Sequence, residues 1–295
     1  MNKALARGSL LLLLWLLVAP ALAARDLAQV RDEGVLRHLG IPYANFVTGS
    51  GDGLDVELIK GFARHLGVRY EFVPTTWETV FGDLTGRHAR LVDGRTERFG
   101  KVPVRGDLIA NGLTILDWRR EVVTFSEPTF PSGVWLIARA NSVLRPISPS
   151  GLLEGDILAT KSLVDGISVL ALANTCLDPS LYQLEQTRAE VRLAPAGRKL
   201  NEMVPALLNR DAETTLLDVP DALVALERWP GEIKVLGPIS EHQDMAVAFR
   251  PESSELRAAF DGYLAQVRAD DSYDRLVQQY YPAVFDYFPE FFAAR

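Results

Sequence analysis

Between Asp55 and Phe72 the apolar period of the chain switches from helical to two-residue, and this switch constrains the fold more than any other feature. Val56, Ile59, Phe62, Ala63 and Leu66 recur at helical spacing, with Asp55 placed to cap the helix and Gly67 to end it. Val68, Tyr70 and Phe72 then alternate on one face of a strand. A helix that runs straight into a strand is the core of a βαβ unit, and the pattern continues from Val35 onward. Residues 107–110 and 122–125 read as short strands about a polar turn, and 134–138 as a buried strand. Ser, Pro and Asn then crowd into 139–149. A second α/β run begins at 155–159 and closes at 245–249. A final helix presents Leu256, Phe260, Leu264 and Val267 on one stripe after a capping Ser253 or Ser254. The expected fold class is α/β in two units. Residues 86–105, with Arg87, His88, Arg90, Arg95, Arg98, Lys101 and Arg105, show no clear period and read as a solvated surface loop.

The first 24 residues read as a cleavable secretory signal. Lys3 and Arg7 precede an apolar run from Leu10 to Val18, and Ala21-Leu22-Ala23 follows. The run is shorter than the ~20 residues a spanning helix needs, so cleavage after Ala23 or Ala24 is the expectation. Cys176, the only cysteine, lies far from the leader, which gives neither a lipid-anchor acceptor at the cleavage site nor a disulfide pair. Without Lys3 and Arg7 the chain keeps 29 basic against 38 acidic residues, a charge of −9, which argues against a nucleic-acid partner. The remaining length of about 270 residues suits two compact units.

Enzyme signatures are missing. There is no Gly-x-Ser-x-Gly elbow, phosphate-binding loop, His-Glu-x-x-His pair or dinucleotide fingerprint. His38, His65, His88 and His242 are scattered, so neither a metal site nor a cofactor is expected, and Cys176 reads as a small buried residue.

The segment Gly106-Asp-Leu-Ile-Ala-Asn-Gly-Leu-Thr-Ile-Leu-Asp-Trp-Arg-Arg-Glu-Val-Val-Thr-Phe-Ser-Glu-Pro128 resembles the signature of family 3 extracellular solute-binding proteins. A turn leaving a strand offers backbone N–H groups and a hydroxyl, and a following arginine offers a planar fork for a carboxylate. The resemblance implies Arg119 as the carboxylate ligand, Thr114 as the hydroxyl and Gly112 as a backbone group. It extends to Ile41-Pro-Tyr-Ala-Asn-Phe46, where Tyr43 matches an aromatic over the ligand, and to Trp77 as the opposite wall. Thr214-Thr-Leu-Leu-Asp218 matches a strand ending in the acid that pairs with a ligand amino group. Thr160-Lys-Ser162 stands for the second-lobe turn, with Ser162 as its hydroxyl donor.

The implied architecture is the type II periplasmic-binding-protein fold, with lobe 1 over 25–130 and 249–295 and lobe 2 over 131–248. The crossovers are expected near 128–131 and 249–251. The implied function is that of a periplasmic monomer, not a lipoprotein, that carries a small-molecule ligand such as an amino acid to an inner-membrane ABC-type permease. Two alternatives remain at this point: an enzyme resembling cyclohexadienyl dehydratases on the same fold, and a sensor or partner-binding module. The aromatic tail 280–292 resembles the segment that joins the binding-protein-like domain of membrane-bound lytic transglycosylase F to its catalytic domain, a domain not expected here. The tail is expected to pack on the first lobe, since exposed it would form a sticky patch.

Overall fold

A computed structural model of the chain describes residues 25–195 and 197–293. The expected leader, 1–24, lies outside the described residues.

Two five-stranded sheets carry the molecule. The first runs in the order Arg69–Pro74, Val35–Gly40, Leu108–Ile109, Ala248–Phe249, Thr124–Phe125. Its first three strands are parallel, and Ala248–Phe249 is antiparallel to both of its neighbours. The second runs Glu190–Leu193, Ser168–Ala171, Thr214–Asp218, Val134–Arg139, Ile233–Pro238, with the first three parallel and Val134–Arg139 antiparallel to each flanking strand. Between the sheets the chain passes twice, and the two passages pair as an antiparallel ribbon of Phe130–Ser132 with Gln243–Met245. The return passage therefore precedes the 249–251 expected from sequence, because Ala248–Phe249 is already a strand of the first sheet.

The helix Leu54–Leu66 buries Leu54, Val56, Leu58, Ile59, Phe62 and Ala63. Gly67 ends it in the left-handed region at φ 74°, returning its N–H to Ala63 and Arg64. Asp55 does not cap this helix. Gly53 holds that position, and the buried Asp55 carboxylate accepts from the Gly112 N–H at 2.7 Å. The following strand is a sheet edge, so Phe72 remains 36% exposed, sheltered by the His38 ring at 5.4 Å between centroids and by the close approach of Gly40.

Residues 88–99 are not a loop but an antiparallel hairpin, His88–Val92 with Arg95–Phe99. Its turn is Asp93-Gly94, both at positive φ (49° and 73°), the backbone that a two-residue hairpin of matching twist requires. The second α/β run opens with a helix, Leu153–Ser162. In the helix Ser254–Ala269, Ser253 turns its hydroxyl to the Arg25 carbonyl at 2.9 Å. The capping oxygens come instead from Asp26, which accepts from the N–H groups of Glu255 at 3.2 Å and Leu256 at 2.7 Å.

The tail packs more widely than expected. Tyr281 is buried between Phe46 and Phe130 of the first lobe and ribbon, but Tyr287 packs at a tilt of 58° against Trp135 of the second sheet, 5.4 Å between centroids, and Phe288 meets His242 beside the ribbon. Among the described residues no helix is long and apolar enough to cross a membrane.

Candidate ligand-binding site

The parallel strands of both sheets deliver their carboxyl ends to one place, the position where open α/β sheets bind ligands. Tyr43 follows Val35–Gly40, Trp77 follows Arg69–Pro74, and Gly112 and Thr114 follow Leu108–Ile109. From the other lobe, Asp218 ends Thr214–Asp218 and Cys176 follows Ser168–Ala171.

Arg119 lies in the single-turn helix Asp117–Arg120 and is 1% exposed. Its Nη1 donates to the Thr114 carbonyl at 2.8 Å, whereas Nε and Nη2 have no partner. Those two nitrogens form one edge of the guanidinium, the edge that binds a carboxylate through two parallel hydrogen bonds. The rings of Trp118 and Trp77 flank the cation at 5.4 and 5.7 Å. Burial lowers its pKa to about 10, while the surrounding Cys176, Tyr182, Asp218 and Tyr43 act the other way, so the group stays a cation at neutral pH. A buried cation with two free donors is costly to the fold unless something anionic meets it.

Asp218 is 1% exposed and accepts from the Tyr43 hydroxyl of the opposite lobe, from the Cys176 thiol at 3.3 Å and from the Asp221 N–H at 3.2 Å. The last bond also caps the helix Val219–Arg228, whose N-terminus favours negative charge. Burial raises the Asp218 carboxyl above the usual range, and the donors, Tyr43 first, pull it back. Burial likewise raises the Cys176 thiol well above its ordinary value, with the Asp218 charge as the next cause. The raised thiol is held in its protonated form, in which it donates to Asp218.

Tyr43, Trp77, Thr114, Arg119 and Asp218 thus converge. The Tyr43 and Trp77 rings meet edge-on at 6.3 Å, and Thr114 bridges to Met245 of the ribbon. Gly112 is adjacent, but its N–H is taken by Asp55, so that donor is not open to a ligand. Glycine is required there nonetheless: φ is +63°, and a Cβ would stand 2.4 Å from the Phe46 ring. Ser162 does not join the site. It sits exposed at the end of its helix, and its hydroxyl turns back to the Leu158 carbonyl at 2.9 Å. The second-lobe turn that reaches Asp218 is Asn174-Thr175-Cys176, which sequence reading passed over as a buried cysteine. The signal was its place just after an apolar strand, the same local context as Gly112 and Thr114. Tyr182 extends the site, donating to the Cys176 carbonyl and accepting from Gln243 Nε2 at 3.3 Å.

Two α/β lobes joined by a paired ribbon, with charged and aromatic groups of both facing one gap, define a type II periplasmic-binding-protein fold. The chain belongs to the bacterial extracellular solute-binding proteins, family 3, whose sequence profile matches residues 104–283. A mutant of the arginine-binding protein ArgBP from T. maritima superposes with a TM-score of 0.67 at 20% identity, covering 87% of this chain and 99% of that one. The ancestral amino acid-binding protein AncCDT-1, a precursor of cyclohexadienyl dehydratase, superposes with a TM-score of 0.67 at 21% identity, covering 86% and 98%. Among curated relatives, membrane-bound lytic murein transglycosylase F of Desulfosudis oleivorans is 24% identical over 238 residues, covering 80% of this chain but only 46% of the transglycosylase. The L-cystine-binding protein TcyJ of Escherichia coli is 23% identical over 244 residues, covering 80% and 76%.

Proposed function

We propose that the protein captures an amino acid in the cleft between its lobes and, as a periplasmic monomer, presents it to an ABC-type permease of the inner membrane without altering it. The carrying observation is the Nε–Nη2 edge of Arg119, buried, cationic and without a partner, with the buried carboxyl of Asp218 beyond it on the opposite lobe. A ligand carboxylate completes the arginine fork, and a ligand ammonium replaces the Tyr43 hydroxyl or the Cys176 thiol as donor to Asp218. Because the two contacts belong to different lobes, only the closed form makes both, which is the differential affinity a hinge motion needs. The family and the binding proteins among the relatives support this reading.

A thermal-shift screen of the twenty amino acids on the purified protein tests it. A ligand at 100 times its dissociation constant stabilises by about 2.7 kcal/mol, a shift readily seen. Arg119→Ala is expected to abolish the shift. An undiminished shift in that variant would remove the carboxylate site, and turnover of prephenate or arogenate by the wild type would replace the binding reading with an enzymatic one.

A further inference from the structure

Beyond the two tryptophans that flank Arg119 lies a cavity of about 370 Å³. Trp77 and Trp118 form the side next to the arginine, Ala89 and Phe99 of the hairpin form a second, and Leu172 and Thr175 of the second lobe form the third. The lining is mainly apolar and aromatic, with Glu78, Arg90 and Arg198 as its charged members, and the volume lies in the range of sites that hold a whole small molecule. It far exceeds the space that a hydroxymethyl side chain fills.

The hairpin that closes this cavity is held from both sides. Thr96 Oγ1 donates to the Trp118 carbonyl at 3.3 Å and Arg98 donates to the Glu121 carbonyl, which brace it on its own lobe. At its other strand the Leu91 N–H donates to Asn174 Oδ1 of the second lobe at 3.0 Å. Asn174 belongs to the same turn as Cys176, so one turn serves both the charged site and the hairpin. The Nε1 of Trp118 is a further donor, buried without an acceptor.

We infer that the cavity is a side-chain subsite adjoining the Arg119–Asp218 site across the Trp77 and Trp118 rings, that the hairpin is its flap, and that it selects amino acids with large aromatic side chains. This rests on the amino-acid reading above. Trp77, Trp118 and Phe99 line the cavity with aromatic surface that a further ring can pack against. The flap bond to Asn174 forms only when the lobes meet, so it couples closure to the filling of the subsite.

Calorimetric titration with L-tyrosine, L-phenylalanine and L-serine tests the assignment. In the wild type, tyrosine and phenylalanine are expected to bind at least tenfold more tightly than serine. Ala89→Trp, which fills the cavity from the flap, is expected to lower the tyrosine-to-serine affinity ratio at least tenfold. Asn174→Gly, which cuts the flap bond and tolerates the turn's φ of 62°, is expected to lower it several-fold, so the outcome does not depend on one variant folding. Equal wild-type affinities for serine and tyrosine, with both lost in Arg119→Ala, would overturn the subsite and leave the amino-acid reading standing. Failure of all three ligands to bind the wild type would overturn the aromatic subsite, and the screen of the twenty amino acids would decide separately whether the amino-acid reading stands.

Discussion

Asp55 is an acid buried inside a helix, and its titration has a direct consequence for stability. Burial pushes its carboxyl up to about 7 from an ordinary 3.8, and the Gly112 N–H only partly offsets this. The folded chain therefore holds a proton that the unfolded chain has released between about pH 4 and 7. Its stabilising share is fully present below that window, falls as pH rises through it, and is gone above it. Burial raises Asp218 and Asp221 as well, so their shares have the same sign. Asn at position 55 keeps an oxygen for the Gly112 N–H and has nothing to ionise. Asp55→Asn should therefore stabilise at pH 8 by on the order of 2–4 kcal/mol, since each tenfold change in proton affinity is worth about 1.4 kcal/mol. The gain should shrink toward pH 4.5. Thermal melts at the two pH values measure this, and an unchanged pH dependence would show that Asp55 does not carry the effect. The position of Asp55 looked like a cap in the sequence because capping chemistry is local, whereas its bond to Gly112 spans 57 residues and appears only when strand and helix pack. The same distinction separates the site residues. Arg119, Thr114 and Tyr43 sit in short segments whose internal order is distinctive. Cys176 is placed by the pairing of Ser168–Ala171 with Thr214–Asp218, which no local pattern records, and Thr160-Lys-Ser162 offered a misleading hydroxyl instead.

Among the elements, Asp26 ties two helices together. Its side chain accepts from Leu27 at the start of Leu27–Glu33 and from Leu256 and Glu255 at the start of Ser254–Ala269, while its own N–H is held by Gln29 Oε1. Losing a cap costs about 1 kcal/mol, so Asp26→Ala, which uncaps two helices, should cost roughly 2 kcal/mol. Urea denaturation should show this as a lower midpoint with an unchanged slope. Ser253→Ala should cost less, since its hydroxyl meets the Arg25 carbonyl and no helix N–H. Helices of this kind were legible in the sequence as apolar stripes, but their caps were not, because the acceptor for the last long helix comes from 230 residues upstream. The hairpin failed for a different reason. Its second strand is exposed at four of five positions and its first buries only Ala89, with Leu91 half-buried, so the buried face is too small to impose a clear two-residue period, and Asp93-Gly94 was the one local sign of a tight turn.

At the scale of the whole molecule, the tail links the two lobes that the proposed capture of ligand brings together. Asn45 anchors it to the first lobe, its N–H donating to the Tyr281 hydroxyl and its Nδ2 to the Tyr280 carbonyl, both at 2.8 Å. Six residues beyond Tyr281, Tyr287 rests on Trp135 of the second lobe. Opening the cleft rotates these two anchors relative to each other, so the outer contact adds to the stability of the closed form. An aromatic pair contributes about 1 kcal/mol, and removing that much from one side of a two-state equilibrium changes the closed-to-open ratio about fivefold. Tyr287→Ala should therefore weaken ligand affinity by up to about that factor, with the loss in the closed population and not in the site contacts. It should also raise the ligand-free radius of gyration in X-ray scattering above the ~19 Å of a compact chain this long, in proportion to the closed population lost. Saturating ligand should return the two proteins to the same radius, because ligand bridging Arg119 and Asp218 restores closure without the tail. If the variant bound ligand as the wild type does and showed the same radius in both states, the tail would be a cover for the ribbon and no part of the hinge energetics.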